Sequence, residues 1–180
     1  AIYNDFFYQR HNNFWKEQAY KKLPSLLNAT SMLVCGEDLG MIPSSVPWVM
    51  QDLSILSLEI IRMPKVAGNR IGDPNNYPYS SISSFSTHDM PTLRGWWQNC
   101  LENQRLTWEV LNLSQDLPAL FTPEVAHMIL QRELSGNSIL SIQAIQDWLS
   151  LSDKWINSIE ATEEQINIPS DSTNKWCYRI

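Results

Sequence analysis

Short apolar runs that stop at polar, turn-forming residues, separated by segments of helical periodicity, constrain this chain more than any other feature. Met32–Cys35 is one such run and ends at Gly36; Ile55–Ile61 is a second strand candidate, and the serine-rich Ser81–Ser86 a third that ends at Thr87-His88-Asp89. Runs this short, without strict alternation, suit strands covered on both faces. Ahead of the first, Asn12–Asn28 sets Phe14, Trp15, Ala19, Leu23, Leu26 and Leu27 at helical spacing, with a kink expected at Pro24. Pro43–Met50 reads as a helix capped by Ser44 or Ser45. Pro91 opens a helix to about Asn103, and Thr122-Pro123-Glu124 starts one that Gly136 stops. Ile139–Leu149 reads as a further short helix, Val66–Tyr79 as loop, and Gln165–Ile168 as a last strand before Pro169. Strands alternating with helices give an α/β fold with a parallel sheet.

Composition narrows the chemistry. The 180 residues carry 13 Lys and Arg against 19 Asp and Glu, a net charge of −6. A sequence-blind nucleic-acid binder needs the opposite balance, so nucleic acid is excluded as a partner. No stretch approaches the length of a membrane span, and Asn4, Asp5, Gln9 and Arg10 interrupt any secretory signal, so no membrane partner is expected. Cys35, Cys100 and Cys177 form no CxxC pair, which points to small buried side chains in a reducing, cytoplasmic setting. No metal, nucleotide or sugar-phosphate motif is visible, so no cofactor is expected. Eight Trp are many for an acidic chain. They fill a core or line a cleft where flat rings stack on sugars. The pair Trp96-Trp97, on an amphipathic segment, reads as core.

Chemistry concentrates at the strand ends. The first run closes in Gly36-Glu37-Asp38-Leu39-Gly40, the second passes Glu59 and ends near Arg62, the third closes in His88-Asp89, and the last holds Asn167. Ligands of parallel α/β folds bind where strand carboxyl ends converge. Glu37 and Asp89 can therefore flank one bond, as the carboxyl pair of glycoside chemistry does. The proton donor of such a pair works best in apolar surroundings, which Met32, Leu33 and Val34 would supply.

The ordered set Met32-Leu-Val-Cys-Gly-Glu37-Asp38-Leu-Gly40, Leu58-Glu-Ile-Ile-Arg62-Met-Pro64, Ser86-Thr-His-Asp89, Gly95-Trp-Trp97, Glu164-Gln-Ile-Asn167-Ile-Pro169 and Trp176-Cys-Tyr-Arg179 resembles the 4-α-glucanotransferases, the disproportionating enzymes or amylomaltases of the α-amylase superfamily. The resemblance implies a TIM-type (β/α)8 barrel and transfer of α-1,4-glucan segments between malto-oligosaccharides with retention. It implies Glu37 as acid/base and Asp89 as transition-state stabiliser, with Asp38, His88 and Asn167 near the substrate. The family's nucleophile, an Asp in an Arg-x-Asp-His motif on an earlier strand, has no match; Asp5 in Tyr3-Asn4-Asp5-Phe6 lacks the motif. A whole barrel takes about 250 residues. Residues 1–180 are therefore expected to be one partial catalytic domain, the C-terminal half of the barrel (strands five to eight, about four β/α units) with the N-terminal half absent. Such a piece is expected to be inactive alone. It should also self-associate through its open sheet edges. The alternative is a non-catalytic α-glucan-binding domain.

Overall fold

The computed structural model describes residues 1–113, 116–174, 176, 178 and 179, apart from the side chains of Phe7 and Tyr8. A helical turn, α1 (Ile2–Asn4), runs through a π-type turn (Asp5–Gln9) into α2 (Asn12–Leu27), which carries Pro24 inside it. Then come α3 (Ser45–Asp52), β1 (Ser57–Ile60), β2 (Ser81–Ser84), α4 (Leu93–Asn99), α5 (Leu101–Val110), α6 (Pro123–Leu134), β3 (Leu140–Ser141), α7 (Ile145–Leu149) and α8 (Asp153–Ile156). The three strands lie in the order β1-β2-β3, all parallel, and Cys35 adds a parallel bridge to Leu56 beside β1. Four chain segments thus run side by side in sequence order, the α/β arrangement that the alternation of runs and helices predicts.

Four expectations need correction. Met32–Cys35 shrinks to the single bridge at Cys35. The fourth sheet position is taken by Leu140–Ser141, inside the segment expected to be wholly helical, and not by Gln165–Ile168. Ile82 and Ser83 pair with Leu140 and Ser141, whereas Gln165–Ile168 finds no neighbouring strand and follows a 3-10 turn, Ala161–Glu164. The helix from Pro91 begins only at Leu93, where the Thr92 hydroxyl accepts from Gly95 N at 3.2 Å, and it breaks at an extended Cys100 before α5. The connection from β1 to β2 is a long loop with a 3-10 turn at Pro74–Asn76, in keeping with the loop expected over Val66–Tyr79. Cys35 and Cys100 are exposed thiols rather than buried ones, because one borders the open sheet edge and the other the break between helices; Cys177 lies outside the described residues.

The core lies where β1 and β2 meet the later helices. Ile61, Phe85, Leu93, Trp97, Leu111, Val125 and Ile129 form one cluster, with Trp97 edge-on to Trp108 at 5.7 Å between centroids. Arg132 of α6 ties three elements together by donating to the Leu111 carbonyl, Asn75 and Asp73. A buried ion pair closes the far side. Arg94 meets Glu164 at 2.9 Å, and Glu164 also accepts from Thr92 and the Trp155 indole. Arg94 donates in addition to the carbonyls of Ile156 and Ile159, so each buried charge has partners, although Arg94 Nε finds none among the described residues.

Candidate active site

The parallel sheet decides which loops can meet. Every strand points the same way, so the turns that follow Cys35, β1, β2 and β3 all leave from one edge. The Glu37 loop follows the Cys35 segment and the Asp89 loop follows β2, with β1 between them. Adjacent strands are about 4.8 Å apart, which sets the two loop origins roughly 10 Å from each other.

Glu37 is exposed, and its Oε1 accepts from Leu39 N at 2.9 Å across a tight turn. Gly40 ends that turn at a φ of 75°, a conformation open to glycine and strained for other residues. Met32 and Leu33 stand largely in solvent, so the expected apolar enclosure of Glu37 is not supplied by them. Asp38 is buried at 4% exposure and has both oxygens engaged: Oδ1 accepts from Leu58 N at 2.9 Å and Oδ2 pairs with Lys65 Nζ at 2.7 Å. The same ammonium reaches Glu59 Oε1 at 2.8 Å, and Glu59 is also buried.

On the other side, Asp89 and His88 are about half exposed, with His88 Nε2 at 3.3 Å from Asp89 Oδ1. Asn167 donates its amide to the same Asp89 oxygen at 2.5 Å, so His88, Asp89 and Asn167 form one polar cluster although Asn167 is not on a strand. Asn174 extends the cluster by donating to Asn167 Oδ1 and the Ile166 carbonyl. Trp176 leans on His88, their ring centroids 4.9 Å apart, and is itself exposed. A cleft of about 310 Å³ opens beside them, lined by Thr87, His88, Gln143, Glu164 and Ile166 among others.

Sequence reading named Arg62 only as the end of the second run and did not name Lys65. Arg62 Nη1 donates to the Pro91 carbonyl at 2.5 Å while its guanidinium lies 4.3 Å from the Trp96 ring centroid. Burial lowers the Arg62 pKa to about 10, so it stays a cation at neutral pH. Trp96 and Trp97 belong to packing, as expected: Trp97 is buried and the Trp96 indole donates to Thr107. Asp5, which lacks the nucleophile motif, pairs with Arg10 in solvent. Among the described residues no group of three or more His, Cys, Asp or Glu is arranged to hold a metal ion, and no helix is long and apolar enough to cross a membrane.

The family model described as 4-alpha-glucanotransferase matches residues 1–180. The chain is 38% identical over 180 residues to the protein of Oryza sativa subsp. japonica named 4-alpha-glucanotransferase DPE2, covering 99% of this chain and 19% of that protein. It is 34% identical over 171 residues to the 4-alpha-glucanotransferase of Chlamydia muridarum, covering 91% of this chain and 31% of the relative. The chain thus spans less than a third of the length of these relatives. Its path matches the amylomaltase from Streptococcus agalactiae, solved in complex with acarbose, with a TM-score of 0.67 at 19% identity, over 90% of this chain and 30% of that one.

Proposed function

The chain belongs to the 4-alpha-glucanotransferase family, and from that membership we propose that it is the segment of an α-glucan-transferring enzyme that carries the acid/base and the stabilising carboxylate. The carrying observation is the shared edge: the Glu37 and Asp89 loops leave the same end of one parallel sheet on either side of β1. In this reading the chain is the C-terminal half of a (β/α)8 barrel, and its substrates are malto-oligosaccharides.

The chemistry divides between the two loops. Glu37, reachable from solvent, gives its proton to the glycosidic oxygen as the donor bond breaks. As a carboxylate it then takes the proton of the incoming sugar hydroxyl. Asp89 faces the oxocarbenium-like centre and binds it more tightly than the ground state. Asn167 holds Asp89 by donating its amide to Oδ1, His88 Nε2 lies 3.3 Å from the same oxygen, and both present further polar groups to the sugar hydroxyls. No residue here matches the family's nucleophile motif, so the covalent step has no partner within this chain.

The test has two readouts. Maltotriose incubated with the chain alone should yield no glucose or longer maltodextrins; steady turnover would overturn the missing-nucleophile reading. Tryptophan fluorescence should change saturably with added maltodextrin, because Trp176 lies against His88; an unresponsive signal would overturn the glucan site. A second reading, glucan binding without catalysis in the parent protein, draws on that same exposed Trp176 and the Asn167–Asn174 cluster. Replacing Glu37 separates the two, since binding alone does not need a proton donor. The open β3 edge, with Ile139, Leu140 and Ile142 exposed, supports self-association of the isolated chain.

A further inference from the structure

We propose that the segment closing the central strand, Arg62-Met63-Pro64-Lys65, is a two-armed brace whose cations position both acid-bearing loops: Lys65 holds the Glu37 loop and Arg62 holds the Asp89 loop. The brace deepens the reading of Glu37 and Asp89 as a working pair. Its contacts stand on geometry alone.

β1 lies between the Cys35 segment and β2, so a residue just past its end can reach either neighbour. Lys65 reaches one way. Its ammonium joins Asp38 at 2.7 Å and Glu59 at 2.8 Å, and Asp38 in turn takes the Leu58 amide. Asp38 directly follows Glu37, is nearly sealed from solvent, and has both oxygens committed within the protein. Its position therefore fixes where Glu37 starts, and its carboxylate acts through the loop rather than on a sugar. Without Lys65, two buried carboxylates would lie close with no cation between them, and Asp38, which sits in a loop while Glu59 sits in β1, would pull its loop toward water.

Arg62 reaches the other way. It donates to the carbonyl of Pro91, two residues past Asp89, and its guanidinium lies over the Trp96 ring, with Phe85 at 5.9 Å. The turn it secures is closed by Met90 N donating to the Thr87 carbonyl. Pro64 limits the backbone between the two arms. The residue types suit their tasks: a compact ammonium serves two carboxylates, and a flat guanidinium can donate at its rim while stacking on an indole. Arg62 and Lys65 are thus positioning residues, acting on the site through Pro91 and Asp38.

Amide hydrogen exchange on the whole 180-residue chain tests this arm by arm. Lys65→Met should speed exchange at Leu39 and Leu58 by roughly tenfold or more, while Met90 and the core amides of Ile129 and Leu130 stay within about twofold. Arg62→Met should speed Asp89 and Met90 and spare Leu39 and Leu58. Lys65→Arg should restore the Glu37 loop, whereas Arg62→Lys, which keeps the charge and tolerates folding if Arg62→Met does not, should leave Met90 fast. Core amides speeding up together with both loops, or a loop indifferent to its own cation, would overturn the brace. No sugar enters the measurement, so a failed glucan titration with an intact brace would sink the function and leave this inference standing.

Discussion

The two ends of the molecule bury apolar surface very differently. In α6, Val125, Ala126, Ile129 and Leu130 are all buried, and the face they form is met by Trp97, Leu111 and Phe121. In α2, a longer helix, no described residue is buried, and Phe14, Trp15 and Leu26 stand in solvent although they recur at helical spacing. The stripe is only half covered: Ala19, Leu23 and Leu27 are half-buried where α2 packs on α3, and the other apolar positions stay in water. The later half encloses its core, whereas the first 34 residues leave most of their large apolar side chains in solvent.

That contrast can be broken most forcefully at charge pairs. Arg94→Met strips Glu164 of its buried counter-ion and should cost about 3–5 kcal/mol of unfolding free energy. Arg10→Met, which removes the exposed partner of Asp5, should stay within about 0.5 kcal/mol. Urea midpoints at constant slope compare the two. Next in size, Ile129→Ala should cost about 2–5 kcal/mol by opening a cavity, against about 0.5 kcal/mol or less for Phe14→Ala. Equal losses in the two helices would mean that α2 is as tightly packed as α6.

A third difference appears with pH. Burial pushes the Asp147 carboxyl up to about 7, with Glu164 adding to the rise and the Leu93 amide and Arg62 opposing it. Burial and the neighbouring Asp147 push Glu133 up as well. An acid raised in the folded state binds more protons there than in the unfolded chain. Its stabilisation is full below about pH 4 and is lost as pH rises through the folded value. The melting temperature should therefore fall by about 5 °C from pH 5 to pH 8. Asp147→Asn should flatten that fall and raise the melting temperature at pH 8, since Asn still accepts from Leu93 N. A melting temperature that climbs across this window would contradict the buried acids. The smallest effect sharpens the α2 side: Phe14→Ser with Leu26→Ser should leave the melting temperature within about 2 °C.

The sequence was most legible where local signals agree. For α6, Thr122, Pro123 and Gly136 punctuate a clean apolar period, and the helix spans Pro123–Leu134 as expected. Legibility failed where pairing decides the structure. Ile139 to Ile142 is apolar enough to continue into the helix that follows, and only β2 alongside makes Leu140–Ser141 a strand. Gln165–Ile168 alternates well but has no strand beside it. Cys100 breaks α4 from α5 without a Gly or Pro to mark the break. At the site, His88, Asp89 and Asn167 were named from sequence and lie together. Lys65 was invisible because one lysine in a loop carries no signal until Asp38 and Glu59 are seen on either side of it.

The proposed site stands or falls with the Glu37 and Asp89 loops serving one glucan. The most direct measurement is an amide-shift titration of the isotopically labelled chain with acarbose, following residues 37–39 and 88–90. Both groups should move along one saturation curve with a single dissociation constant, while Phe14 and Leu26 of α2 do not move. Shifts confined to one loop, or two curves with separate midpoints, would contradict it.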